Sequence, residues 1–158
     1  MKEAVTIKSL SITGFSVITS FISSLFGGWS MGLRCLLICM VVDMLTGVIV
    51  AAFCKKSKKT ESGALSSTAG AKGIAKKIMI LCLIVVCNQI DLMLQTTVIR
   101  DTATIAFATN EILSIIENAG LMGIKIPKII MKSIDVLNTK IEKENEKITE
   151  EKGENELC

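Results

Sequence analysis

The 158-residue sequence contains no histidine. That removes the commonest metal ligand and the usual general base, so hydrolytic or metal-centred chemistry is not expected and no cofactor is called for. Aromatic residues make up 4% of the chain. The six cysteines, Cys35, Cys39, Cys54, Cys82, Cys87 and Cys158, show no CxxC spacing, and most lie inside apolar runs. They read as small hydrophobes rather than a disulfide or metal framework. Proline occurs once, at Pro127. Charge is scarce over long stretches: the 18 basic and 15 acidic residues crowd into a central loop and a C-terminal segment. Half of the residues are hydrophobic and the mean hydropathy is +0.56, a balance wrong for an ordinary soluble domain.

What is present is a series of apolar runs. Residues 31–53, MGLRCLLICMVVDMLTGVIVAAF, make about 35 Å of helix, enough to cross a bilayer core of roughly 30 Å. Residues 78–99, IMILCLIVVCNQIDLMLQTTVI, form a second run of that class, interrupted by Asn88, Gln89 and Asp91. Residues 10–29 are rich in Ser, Thr and Gly but carry no charge, so they read as a span; the alternative, a signal peptide, lacks an A-x-A-like cleavage site. Residues 102–122 carry Asn110, Glu111, Glu117 and Asn118 and either cross or lie partly in the interface. The expected fold is therefore an all-α integral membrane protein with three to four transmembrane helices.

Between the second and third runs, the loop 54–77 holds Lys55, Lys56, Lys58, Lys59, Lys72, Lys76 and Lys77 against Glu61 alone. The positive-inside rule assigns it to the cytoplasm. Four spans then place both termini inside, with outer turns near Trp29 and at Arg100 and Asp101. Residues 1–123 form the transmembrane domain, and 124–158 form a charged amphipathic cytoplasmic tail. In that tail Gly123 ends one helix, Pro127 suits the first turn of the next, and Ile126, Ile130, Ile134, Leu137, Ile141 and Ile148 make a heptad-like stripe. The stripe fits a solvated helix and an interfacial or self-associating one equally.

Two groups of residues stand out. Ser9, Thr13, Ser16, Ser20, Ser23, Ser24 and Gly27 share one face of the first run, and Gly47 and Ala51 have small-xxx-small spacing in the second. Ser16, Ser20, Gly47 and Ala51 are the helix-packing candidates. The second group comprises the intramembrane polar residues Asp43, Asp91 and Glu111, each costing about 2.5 to 3.5 kcal/mol if ionised at mid-bilayer, so each requires a partner, water or protonation. Arg34, near the outer end of its span, is the expected partner of Asp91. These carboxylates are the candidate switch; the competing use is a proton or ion pathway.

Several segments resemble one family, the phage-lysis and toxin-secretion holins. The likeness rests on VVDMLTGVIVAAFCKK, containing Asp43, Thr46 and Gly47; on AGAKGIAKK leading into the third run; and on NEILSIIENAGLMGIKIPK, with Asn110, Glu111, Ser114, Ile115, Asn118, Gly123, Ile126 and Pro127. These cover roughly residues 38–135. The resemblance implies a protein of the bacterial cytoplasmic membrane that self-associates among lipids and opens lesions for an endolysin or a toxin. It transfers no catalytic residues and implies no nucleic-acid partner. Two rivals are a small ion or solute transporter using the carboxylates, and a non-conducting scaffold acting through the tail.

Overall fold

The computed structural model describes residues 16–54 and 66–155. Residues 10–15 of the expected first span, Lys55 to Glu61 of the basic loop, and Cys158 lie outside the described residues. Within them the architecture is all-helical. Helix α1 covers Ser16–Leu25, α2 Met31–Ile49, α3 Ser67–Leu94, α4 Val98–Leu121 and α5 Lys128–Asn155, and α2 continues into a π-helical turn at Val50–Cys54.

Each boundary has a local cause. Helix α1 ends because Gly27, at φ +68°, takes up the left-handed conformation that glycine adopts without strain. The amide of Gly28 then bonds Ser23 O at 2.8 Å and that of Gly27 bonds Ser24 O at 3.1 Å, the pairing of a Schellman stop. Ser30 opens α2: its hydroxyl accepts the Leu33 amide at 3.1 Å. At the end of α3 Gln95 is left-handed at φ 56°, and the Thr96 amide closes onto Asp91 O at 2.9 Å. The chain therefore turns at residues 95–97. Arg100 and Asp101, expected as the turn itself, lie in the first turn of α4, and α3 stops five residues short of the expected end at 99. At its other end α3 begins at Ser67, well inside the segment read as loop.

Helices α2 and α4 run parallel and make the most extensive contact in the bundle, with α3 antiparallel against α4. Parallelism shows in a constant offset: the Gly32 Cα faces Thr104, and Thr46 meets Asn118 seventy-two positions on. The buried stripe of α2 is Leu33, Leu36, Met40 and Asp43; that of α3 is Ile80, Ile84, Asn88 and Asp91. With Ala108 of α4, Leu36, Met40, Ile80 and Ile84 make the apolar core, flanked by Phe26, Leu81, Ala103 and Phe107. The steps of three and four residues are those of one helix face.

The other faces of α2 and α3 are apolar and exposed, including Ile38, Val41, Leu45 and Val48 on α2 and Ile78, Leu83, Val86 and Met93 on α3. Met31–Phe53 and Ser67–Leu94 are long and apolar enough to cross a membrane, with about a quarter of each apolar window buried inside the bundle. Exposure of that much apolar surface in long helices suits a lipid solvent.

Helix α5 packs back along α4. The tail is thus in contact with the bundle rather than set apart from it. Ile134 is buried, Leu137 and Ile141 are half-buried, and Lys132, Asp135, Lys140, Glu142 and Lys143 are exposed. Of the stripe read from the sequence, Ile134, Leu137 and Ile141 are the more covered part, whereas Ile130 is exposed.

Candidate functional site: a polar seam between apolar helices

One turn before Ile80, on the same stripe of α3, stands Lys77. Its Nζ donates to Asp43 Oδ2 of α2 at 2.9 Å and also to Glu111 Oε2 of α4. Asp43 and Glu111 are buried, and the Lys77 side chain is 17% exposed. A third polar group completes the cluster: Asn118 Nδ2 donates to Asp43 Oδ1 at 3.3 Å and to Thr46 Oγ1 at 3.0 Å. Thr46 in turn donates its hydroxyl to Asp43 O at 3.1 Å. Three helices therefore meet at one ammonium group.

Geometry explains how the carboxylates are tolerated. From Met31 to Asp43 α2 rises about 18 Å, so with a 30 Å bilayer core beginning at Met31 the cluster would stand past its midpoint, toward the basic loop. A lone ionised group there is expensive; a hydrogen-bonded pair of opposite charges offsets much of the desolvation. With all three ionised, two carboxylates face one ammonium, and the remaining negative charge is met by the Asn118 amide. No buried side-chain nitrogen or oxygen among the described residues lacks a hydrogen-bond partner.

Asp91 has a different part. Its Oδ1 accepts the Ile99 amide at 3.1 Å and its Oδ2 the Arg100 amide at 2.8 Å. Those N–H groups belong to the first turn of α4, where the helix dipole favours an anion. The carboxylate therefore caps α4, while the carbonyl of the same residue closes α3. Arg34, the expected partner, is exposed on α2. The arginine that matters at this end is Arg100, which pairs with Asp101 Oδ1 at 2.8 Å and donates through Nη1 to Gly27 O at 3.0 Å and Phe26 O at 3.4 Å. Asn88 donates to Leu25 O at 3.1 Å. Between them Asn88 and Arg100 satisfy the terminal carbonyls of α1.

Of the packing candidates, Ser16 and Ser20 lie exposed on α1, whereas Ala51 is buried and Gly47 faces Asn118, where a Cβ would stand 3.8 Å from Nδ2. Gly47 thus serves contact within the chain. Lys77 and Asn118 are members of the site that composition alone does not mark. The signal for both was present: Lys77 extends the series 80, 84, 88, 91 backward by three, and Asn118 extends 104, 108, 111 forward by seven.

Apolar helices with outward hydrophobic faces, joined through a satisfied polar seam, define an all-helical membrane protein. The chain belongs to the bacteriophage holin family, which matches residues 20–139. It is 30% identical over 113 residues to the probable holin of Bacillus phage phi105, covering 71% of this chain and 78% of that one. It is 34% identical over 142 residues to the uncharacterized protein Lin0175 of Listeria innocua, covering 89% and 94%, and 34% identical over 118 residues to an uncharacterized 14.9 kDa protein of Clostridium perfringens, covering 73% and 83%. No solved structure matches the chain. The family is one of membrane pore formers, not of enzymes.

Proposed function

We propose that this protein is a holin that oligomerises in the bacterial cytoplasmic membrane and opens holes through which a cytoplasmic endolysin, or a toxin, leaves the cell. The single observation that carries the reading is the seam of Asp43, Lys77, Glu111 and Asn118, buried between helices whose other faces are apolar. Such a protein is stable in lipid while its charges pair internally. The seam holds α2, α3 and α4 together as one unit, so copies can cluster and reorganise around water without exposing its carboxylates to lipid. Resting topology in this reading has three or four spans, the basic loop ahead of Ser67 and both termini in the cytoplasm, and the Ser16 and Ser20 face of α1 in contact between copies.

A transporter using the same acids is less well supported, because Lys77 pairs with both Asp43 and Glu111. The deciding experiment is induction in bacteria with and without a co-expressed cytoplasmic cell-wall hydrolase. Abrupt lysis only with both supports the holin; graded flux without lysis, or lysis timing unaffected by the protein, overturns it.

A further inference from the structure

Helix α5 brings Lys140 and Glu144 to the far end of the bundle. They line a cavity of about 410 Å³ together with Ser30, Gly32, Thr97 and Asp101, at the ends of α2 and α4 remote from the basic loop. From Lys128 to Lys140 the helix rises about 18 Å, alongside α4 for most of the height of the bundle. Its outward face carries Lys132, Asp135, Glu142 and Lys143 beside Ile129 and Val136, all exposed. At the same heights α2 and α3 show Ile38, Leu45, Ile78 and Val86. Lipid can wet the second surface and not the first. The bundle as folded therefore needs two solvents side by side.

From this we infer that α5 packed on α4 is the arrangement of the open assembly, in which the Lys132, Asp135 and Lys143 face of α5 lines the aqueous lumen between copies while α2 and α3 face lipid. The inference rests on the hole-forming reading above and names the surface that meets water. Before opening there is no lumen, and the charged face of α5 finds water only on the cytoplasmic side. Helix α5 then stands away from α4. Two local features permit this. Thr109, buried on α4, donates its hydroxyl to Ile105 O of its own helix at 2.9 Å and so needs no partner from another helix. Between α4 and α5, Gly123 at φ +84° has open space around its Cα and forms part of a short non-helical connection.

The two states differ in which side of the membrane Lys140 occupies, and Thr97 stays on the outer side in both. In a variant with Cys35, Cys39, Cys54, Cys82, Cys87 and Cys158 replaced by alanine, the pair Thr97→Cys and Lys140→Cys is oxidised in cells before and after the onset of lysis with a co-expressed hydrolase. The intramolecular disulfide is read as a shift on a non-reducing gel. At least a tenfold rise in the crosslinked fraction on opening is expected, and Asp101→Cys with Glu144→Cys should follow the same course. Lysis without a crosslink from either pair overturns the placement of α5, as does an equal yield before and after. Lysis by the cysteine-free parent is scored separately: if that parent and the natural chain both fail to lyse, the hole-forming reading fails instead.

Discussion

Lys77 Nζ lies 2.9 Å from Asp43 Oδ2, so a residue of the lysine-rich stretch is built into the helical bundle. Removing it strands two buried carboxylates. Lys77→Met is expected to lower stability in detergent by about 3 to 5 kcal/mol, the usual consequence of deleting one member of a buried ionic group. Thermal unfolding followed by circular dichroism measures this. The triple variant Lys77→Met, Asp43→Asn, Glu111→Gln should regain most of the loss, and a single variant that melts with the parent would show that the ion pairs hold nothing together.

Capping by Asp91 predicts a smaller effect of a different kind. Asp91→Ala is expected to cost about 1 to 2 kcal/mol, and Asp91→Asn less, since an amide oxygen still accepts one α4 amide. Arg34→Ala should stay within about 0.5 kcal/mol. In a double-mutant cycle of Arg34→Ala with Asp91→Ala the coupling should be no more than about 0.5 kcal/mol; a coupling well above that would restore the pairing read from the sequence.

These two residues show where the sequence was legible. Helix α2, the apolar part of α3 and the existence of α4 follow from long runs with few charges, and the α5 stripe follows from its period. Asp43 and Glu111 announce themselves because charge is costly in such runs. What their partners would be was not legible in the same way. Lys77 sits at the edge of a lysine cluster, where composition says loop, and only its register with Ile80 and Ile84 says helix. Asp91 looked like a membrane charge in need of a cation. Its real partners are backbone amides, which no residue letter displays, and they become available because Gln95 turns the chain three residues before α4 begins. The packing of α5 on α4 was also hidden, since an amphipathic stripe does not name what it faces.

Glycine substitutions separate backbone strain from crowding. Gly123→Ala meets only its positive φ and should cost about 1 kcal/mol. Gly27→Ala combines a positive φ with a Cβ that would collide with the Asn88 and Arg100 side chains, which hold the α1 carbonyls. It should cost at least about twice as much. Comparing the two unfolding midpoints in the same detergent checks the difference, and equal losses would count against the capping role of Asn88 and Arg100.

At the α2 to α4 contact, Gly47→Ala adds a methyl at ordinary contact distance from Asn118, and is expected to be neutral or stabilising by up to about 1 kcal/mol through helix propensity. Gly47→Leu should cost about 1 to 3 kcal/mol by overpacking. The readout is again the melting temperature, with lysis onset in the two-gene assay as a second measure. If Gly47→Leu were as stable as the parent, the parallel packing of α2 on α4 would be in question.

The stop of α1 is set locally by Gly27, but its last carbonyls are held by Asn88 and Arg100, some 63 to 74 residues downstream. A chain emerging N-terminus first therefore presents α1 long before those donors exist. Until α3 and α4 arrive, the Leu25, Phe26 and Gly27 carbonyls have only water or headgroups to bond. The first of the described helices is in this way fastened only after α3 and the start of α4 are made, and newly made chains pass through a stage in which α1 lacks those partners.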